Sequence, residues 1–206
     1  MRALGLKKLF QAKFVSLSDE ELLSMMVNEN EAKAFEELYS RFKKPMYNYI
    51  VSISNRSLAP DLLQDVFMKV LQNAKNFRGQ SKVKTWMWSI ARNHCIDFFK
   101  SNELKMIRNS FSTNEEGDDL LEATEDEKED TALDKMLGQW TKEQFLLCLE
   151  ELTLGQKECF ILKMQSDLSY EEIAEMRNVK LSAIKSQLFR AKEKLMDCMV
   201  RGGHIL

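Results

Sequence analysis

The sequence has few of the residues that shape tight turns: its 206 residues include seven glycines and two prolines. Folds built from many short strands need turns at close intervals, and glycine and proline supply the backbone conformations of those turns. This scarcity argues against an all-β protein and favours a helical one. Hydrophobic residues make up 44% of the chain, which is enough for a core, and the length fits one large domain or two small ones.

Clustered metal ligands are also missing. The two histidines and the four cysteines, at positions 95, 148, 159 and 198, are scattered, and no pair has C-x-x-C spacing. Zinc needs several ligands close together, so we expect no metal site. Isolated cysteines in a helical chain usually pack as small apolar side chains, and such usage is typical of a reducing cytoplasm. No nucleophile–base pair or cofactor motif stands out, so neither an enzyme nor a cofactor is predicted.

Long apolar runs are absent as well. No stretch approaches the roughly 18 apolar residues of a membrane-spanning helix. The segment Met1–Phe14 carries four basic residues but lacks the apolar core of a signal peptide. We therefore expect a cytoplasmic protein without membrane insertion, and we treat 1–17 as an N-terminal extension. Contact of this extension with a membrane surface is the alternative interpretation.

Charge is distributed unevenly along the chain. Ten acidic residues and one lysine lie between Asn114 and Asp130, whereas the rest of the chain has 29 basic and 22 acidic residues. The acidic segment has no helical periodicity and no aromatic residue, which is typical of a flexible linker. We therefore predict an all-α protein with two small helical domains, 18–108 and 139–206, joined by an acidic linker over 109–138.

Capping signals and apolar periodicity predict where the helices begin. Four pairs have the spacing of a capping box, in which two side chains satisfy the free N–H groups of a helix start: Ser18 with Glu21, Thr141 with Gln144, Thr153 with Gln156, and Ser169 with Glu172. Further helices are predicted from Ala32 to about Val51, from Pro60, which favours a first turn, and from about Thr85 to Lys100.

The last capping box opens a helix-turn-helix pattern. A short helix is followed by the turn 177–180, where Asn178 tolerates a left-handed backbone, and then by an amphipathic helix over 181–195. The second helix of such a unit enters the major groove of DNA. Its outward residues here suit phosphates and base edges: Lys185, Ser186, Gln187, Phe189, Arg190, Lys192 and Lys194. A solvated basic helix face is the alternative.

A second basic region, 78–108, interleaves lysines and arginines with Trp86, Trp88, Phe98 and Phe99. Aromatic side chains stack on unpaired bases while cations follow the backbone of a nucleic acid. The alternative is that these aromatics belong to the core. We favour the core for Trp86, Phe98 and Phe99, and an exposed position for Trp88, which lies on another helix face.

A stripe of acidic and polar residues, Asp61, Gln64, Asp65 and Met68, has the spacing of one helix face. It is either an ordinary solvated face or a docking surface for a basic partner helix.

Two ordered sets of motifs occur along the chain. The first set comprises Asp61-Leu-Leu-Gln-Asp-Val-Phe67, Phe77-Arg-Gly79, Thr85-Trp86, Ile90-Ala-Arg-Asn93 and Ile96-Asp97. The second comprises Leu168-Ser-Tyr-Glu-Glu-Ile-Ala174, Ile184-Lys-Ser186 and Phe189-Arg-Ala191. Together they resemble the bacterial RNA polymerase sigma factors of the extracytoplasmic-function (ECF) group. The resemblance implies a factor that binds core polymerase and directs promoter-specific initiation, melting the −10 element and recognising the −35 element.

The resemblance also implies residue roles. Docking on the coiled coil of the largest polymerase subunit falls to Asp61, Gln64, Asp65, Phe67 and Met68. Opening of the −10 element and capture of a flipped base fall to Gly79, Gln80, Ser81, Lys84, Trp88, Arg92 and Asn93. Recognition of the −35 duplex falls to Lys185, Ser186, Gln187, Phe189, Arg190 and Lys194. An anti-sigma factor is a further implied partner.

Three positions depart from the family pattern. Val83 stands where an aromatic residue is common, Lys180 where proline or a small residue is common, and Gln187 where a basic residue is frequent. These departures bear on the promoter sequence and leave the class unchanged. An adaptor that makes only protein contacts is an alternative, against which the basic 78–108 region argues. A dimeric helix-turn-helix repressor is another, but the sequence has no evident dimerisation helix.

Overall fold

The computed structural model describes residues 14–29, 31–54, 56–107 and 142–201. In these ranges the regular structure is helical, as predicted, with one short 3-10 turn at Ala74–Asn76. The predicted acidic linker, 109–138, lies outside the described residues, and the domain boundaries stay predictions. The α-helices are α1 (Asp19–Asn28), α2 (Ala32–Ile53), α3 (Ala59–Asn73), α4 (Val83–Ile107), α5 (Lys142–Leu149), α6 (Leu154–Ser166), α7 (Tyr170–Arg177) and α8 (Leu181–Arg201).

Three of the helices begin at the predicted capping boxes. The side chains of Ser18, Thr153 and Ser169 each accept a hydrogen bond from a backbone N–H three residues on, at the start of α1, α6 and α7. The acidic or amide side chain at that third position accepts from the N–H of the capping residue in return. Each box satisfies two donors that a helix start leaves free. The box at Thr141 begins outside the described residues.

The start of α4 differs from the prediction, since the helix begins at Val83 and extends to Ile107. The backbone N–H of Val83 donates to the Glu20 carboxylate, 3.0 Å away, so a side chain from α1 caps α4. The residues just before Val83 do not predict this helix start, because the capping side chain lies 63 positions earlier in the chain.

The helices form two compact units, one containing α1, most of α2, α3 and α4, and the other containing α5–α8. In the first unit the apolar face of α3 is buried over Leu62, Leu63, Val66, Phe67 and Val70. It lies against α4, which α1 also contacts. In the second unit α8 packs on α5, α6 and α7, and its inner face buries Ile184, Leu188, Ala191 and Leu195.

Two of the four cysteines pack as isolated core side chains, as predicted, and the other two do not. Cys95 and Cys159 form no disulfide and are buried, as expected of small core side chains. Cys148 in α5 and Cys198 in α8 instead form a disulfide, with a Cα–Cα distance of 5.8 Å. The expectation is wrong for this pair because the packing of α5 on α8 joins positions 50 residues apart, which spacing alone does not reveal.

Two further features concern the described ranges alone. No helix within them is both long and apolar enough to cross a membrane. Nor do three or more His, Cys, Asp or Glu side chains of those ranges gather where they could hold a metal ion.

Candidate functional site

The helix-turn-helix predicted from the sequence is formed by α7 and α8. Asn178 ends α7 with a left-handed backbone (φ 54°), and its N–H donates to carbonyls of the last turn. The next N–H, from Val179, donates to the Ala174 carbonyl at 3.0 Å. This closure is typical of a helix end with a left-handed residue. It turns the chain so that α8 begins three residues later, with its inner face on α6.

The outer face of α8 carries the cationic residues predicted to meet DNA. Lys194 is exposed, and Lys185, Ser186, Arg190 and Lys192 are half-buried. Phe189 leaves 42% of its surface in solvent among these cations. Cations neutralise phosphates, and an apolar ring can lie against a thymine methyl in the major groove. This face therefore has the chemistry of a helix that docks on duplex DNA.

Gln187, predicted to recognise DNA, has a hydrogen-bond partner within its own unit. Its side chain is half-buried, and its Oε1 accepts a hydrogen bond from Nη1 of Arg177 at 2.5 Å. Arg177 belongs to the end of α7, so the amide is engaged inside the unit. Position 187 borders the buried positions Ile184 and Leu188, and periodicity alone does not decide to which face such a border position turns.

A cavity of about 290 Å³ opens between α3 and α4 in the first unit. Its wall contains one large aromatic side chain, three amides and charged groups of both signs: Trp86, Asn73, Asn76, Asn93, Lys69 and Asp97. Trp86 also contacts Phe77, with ring centroids 5.1 Å apart. An aromatic face beside hydrogen-bonding amides is a chemical match for an unpaired nucleobase.

The two tryptophans of α4 differ from the prediction, since Trp88 is buried and Trp86 lines the cavity. Trp88 is 1% exposed and packs edge-to-face on Tyr49, with ring centroids 5.7 Å apart, so its predicted exposure is wrong. Trp86, expected in the core, lines the cavity. Spacing explains both positions: Trp88 is three residues before buried Ala91, whereas Trp86 is seven residues before cavity-lining Asn93. Periodicity alone does not reveal these positions, because α4 carries apolar side chains on several faces.

The other predicted −10 residues lie in the loop before α4 and along that helix. Gly79 has a φ of 68°, a left-handed conformation that glycine adopts without steric cost. Gly79 and Gln80 are exposed, and Ser81, Lys84 and Arg92 are half-buried. Among these predicted residues, the cavity wall includes Asn93.

The acidic stripe of α3 lies in solvent, with Asp61, Gln64, Asp65 and Met68 all exposed. Phe67, predicted to share this surface, is 3% exposed instead. Its ring packs on Tyr39 at a centroid distance of 4.6 Å. Position 67 continues the buried face of Leu63 and Val70, so helical geometry turns it away from the stripe.

A histidine links the stripe to the cavity. Nε2 of His94, in the cavity wall, lies 3.4 Å from Oδ2 of Asp65. Burial lowers the pKa of His94, and the nearby positive charge of Lys69 lowers it further. The carboxylates of Asp65 and Asp97 act in the opposite direction. Because burial prevails, the imidazole stays neutral at neutral pH and the cavity wall gains no charge there.

Two family models match separate parts of the chain. Residues 38–104 match the family described as Sigma-70 region 2, and residues 142–195 match Sigma-70, region 4. The chain is 30% identical over 169 residues to RNA polymerase sigma factor YlaC of Bacillus subtilis. This match covers 82% of this chain and 93% of the relative. It is 26% identical over 179 residues to the ECF RNA polymerase sigma-E factor of Haemophilus influenzae, covering 87% and 94%.

Two solved structures share the fold. The sigma factor RpoE in complex with the anti-sigma factor NepR, from Bartonella quintana, has 24% identity and a TM-score of 0.60, covering 81% of this chain and 97% of that one. CnrH in complex with the cytosolic domain of CnrY has 16% identity and a TM-score of 0.60, covering 89% and 98%. At these identities the likeness concerns the fold.

Proposed function

Since this chain belongs to the ECF group of RNA polymerase sigma factors, which serve transcription initiation and are not enzymes, we propose how its surfaces divide that work. The α3 stripe docks on core polymerase. The loop before α4 and the cavity open the −10 element, and α8 recognises the −35 element. The observation that carries the proposal is the exposed Phe189 within the cationic face of a helix-turn-helix, which supports duplex recognition by α8.

For the −35 element, α8 meets duplex DNA in the major groove. Lys185, Arg190 and Lys194 neutralise phosphates, which supplies affinity that falls as salt rises. Phe189 and Ser186 meet base edges, which supplies sequence preference. Gln187 is left out of this set because its amide is engaged with Arg177.

For the −10 element, the cavity receives a base unstacked from the melted strand. Trp86 offers the stacking surface, and Asn93 offers hydrogen bonds to the base edge. Unstacking costs a few kcal/mol, which these contacts must offset. Lys84 and Arg92 meet phosphates, and the left-handed Gly79 shapes the loop that approaches the strand. Trp86 thus takes the stacking role that the sequence suggested for Trp88.

For polymerase, the α3 stripe meets the coiled coil of the largest subunit. Asp61 and Asp65 complement a basic partner helix and steer its approach, and Gln64 adds a polar contact. Met68 contributes exposed apolar surface at the end of the stripe. Phe67 supports the stripe without contacting polymerase, because its buried ring packs on Tyr39 of α2 and holds α3 in place. Binding to core polymerase, to the −10 element and to the −35 element is weak for each surface alone. It becomes tight when one chain links the three surfaces.

An anti-sigma factor is a further proposed partner. The structurally similar RpoE is bound to the anti-sigma factor NepR. A protein that covers the α3 stripe or α8 would keep this chain from polymerase or promoter. We place the chain in the cytoplasm, where the polymerase works.

In vitro transcription with purified core polymerase on a promoter library tests this function. Lys185→Ala with Arg190→Ala should abolish −35-dependent initiation while binding to core polymerase persists. Arg201→Ala is the matched control, because it removes one cation from the far end of α8, where Arg201 pairs with Glu151 on the surface. Stable binding of the wild type to core polymerase without template-specific transcripts would overturn the proposal.

A further inference from the structure

Arg177, at the end of α7, joins three helices of the second unit. Its Nε lies 3.1 Å from Oε2 of Glu158 on α6, and both side chains are more than nine-tenths buried. Its Nη1 donates to Oε1 of Gln187 on α8 at 2.5 Å and to the Gly155 carbonyl on α6 at 3.5 Å. The guanidinium therefore lies between the supporting helix and the proposed recognition helix.

A buried charge is costly unless its partners satisfy it in good geometry. Glu158 supplies the opposite charge, although Nε of Arg177 itself makes no hydrogen bond. The direction of the planar guanidinium is set by the two bonds that its Nη1 donates to Gln187 and to the Gly155 carbonyl. The backbone at Gly155 leaves room for the arrangement. A Cβ at that position would lie 3.3 Å from Nε2 of Gln187 and 3.6 Å from Nη2 of Arg177. The Arg177–Gln187 contact thus occupies space that a side chain on α6 would take.

A neighbouring thiol supports the same arrangement. Cys159 on α6 is buried, and its Sγ lies 3.9 Å from the Ile184 carbonyl on α8. Burial raises the pKa of this thiol to about 11, although the nearby Arg177 opposes the shift. Cys159 therefore stays protonated at neutral pH, and Glu158 is the anion that pairs with the guanidinium.

Gln187 lies between the residues proposed to touch DNA, one position after Ser186 and two before Phe189. A tether at this point limits how far α8 rotates about its axis, and so sets how Phe189 and Arg190 are presented. We propose that Arg177 and Gln187 form a positioning pair that sets the angle of α8 against the −35 duplex, and that Gln187 itself reads no base. This proposal rests on the −35 function proposed for α8.

The two roles for Gln187 differ in what its loss changes. A residue that reads a base relaxes preference at one promoter position when it is removed. A positioning residue weakens every −35 position together, because all base contacts on α8 shift with the helix. A hydrogen bond to a charged group is worth about a factor of ten in an equilibrium. We therefore expect about a tenfold loss of total −35 discrimination, spread over the element.

The experiment uses holoenzyme assembled from the full chain and core polymerase, on a library randomised across the −35 element. Gln187→Met keeps the side-chain volume but removes the acceptor, and should flatten the preference at every position. Arg177→Lys keeps the charge beside Glu158 but loses the fork, and should give the same pattern. Because the two residues act as one pair, the double variant should lose little more than either single variant.

Gln187→Glu separates the two roles most sharply. A carboxylate facing Arg177 keeps the contact, so the −35 preference should persist. A carboxylate facing the duplex would repel phosphates, so a loss of −35-dependent initiation in this variant would overturn the positioning role. Initiation on templates that depend on the −10 element alone should be unchanged in all variants, and a parallel loss there would mean that the pair only stabilises the fold.

Arg201→Lys is the matched control, because it alters an arginine–carboxylate pair on the surface of the same helix and should leave the library profile unchanged. A wild type without −35 preference would overturn the proposed function together with the positioning role. A wild type with the preference, and a Gln187→Met variant relaxed at a single position, would overturn the positioning role alone.

Discussion

His94 on α4 and Asp65 on α3 meet with 3.4 Å between Nε2 and Oδ2, and so connect the cavity wall to the acidic stripe. The side chain of Asp65 is 61% exposed, whereas that of His94 is 13% exposed. Solvent screens the carboxylate, so its attraction for a proton on His94 is weak. Burial therefore dominates, and the folded protein disfavours the imidazolium.

The first prediction concerns pH. Because the folded pKa of His94 lies below that of the unfolded chain, unfolded molecules take up the proton first as pH falls. Above the usual value of about 6.5 both states are neutral and nothing is lost. Below it the free energy of unfolding should decrease, and urea denaturation at pH 7.5, 6.5 and 5.5 measures this decrease.

The groups that face His94 are Lys69 and Asp65 from α3 and Asp97 from its own helix. His94→Asn should remove most of the pH dependence in this window. His204→Asn is the matched control, since it deletes the other histidine of the chain and should leave the dependence intact. The same decrease in the His94→Asn protein would show that other groups cause it.

The second prediction separates the two tryptophans of α4. Trp88→Ala empties a buried site against Tyr49 and should lower the free energy of unfolding by about 3–5 kcal/mol. Trp86→Ala removes a cavity-lining side chain and should cost less stability. It should strongly reduce −10 opening, measured by the fluorescence of 2-aminopurine placed in that element. Wild-type stability in Trp88→Ala, or unimpaired opening in Trp86→Ala, would contradict this assignment.

The parts of the fold that the sequence predicted well are those set by local contacts. Ser18, Thr153 and Ser169 bind groups three residues away, so their patterns are visible in a short window. The left-handed turn at Asn178 is local in the same sense. Tertiary contacts decide the remainder: Glu20 caps α4 from another helix, and the disulfide joins positions 50 residues apart.

The candidate site shows the same division. The cationic face of α8 follows from its spacing, because the inner positions Ile184, Leu188 and Leu195 are clearly apolar. In α4, apolar and aromatic side chains occur on several faces, so periodicity does not single out the core, and Trp86 and Trp88 were exchanged. The hydrogen bond of Gln187 depends on Arg177 in another helix and on the space beside Gly155, so the sequence of α8 alone does not predict it.

The third prediction concerns the disulfide between α5 and α8. Closing a loop of 50 residues restricts the unfolded chain, and the loop-entropy relation gives about 4 kcal/mol of stabilisation. Cys148→Ser with Cys198→Ser should lower the free energy of unfolding of the second unit by about this amount. A reducing agent should destabilise the wild type but leave the double variant unchanged, as followed by thermal unfolding.

Thiol counting provides the control for this bond. Alkylation of the denatured protein should modify two cysteines without reduction, Cys95 and Cys159, and four after reduction. Four modified cysteines in protein purified without reductant would show that the bond does not form.

The last prediction concerns the cap that Glu20 provides for α4. Glu20→Ala leaves the N–H of Val83 without its carboxylate and should lower the free energy of unfolding by about 1 kcal/mol. Glu20→Gln keeps an acceptor but loses the charge that favours a helix start. It should therefore lower the free energy of unfolding by less than Glu20→Ala does. Hydrogen exchange at the Val83 amide should quicken by about fivefold in the alanine variant, which is the population change that 1 kcal/mol produces.

Glu29→Gln is the control for that exchange experiment, because it neutralises an exposed acid at the other end of α1 and should leave the Val83 amide protected. Because α4 begins at this cap, the loop containing Gly79, Gln80 and Ser81, which we propose opens the −10 element, leads directly into it. Glu20→Ala should therefore also slow −10 opening while −35 preference persists. Equal exchange rates in the Glu20→Ala and Glu29→Gln proteins would mean that water caps α4 as well as the carboxylate does.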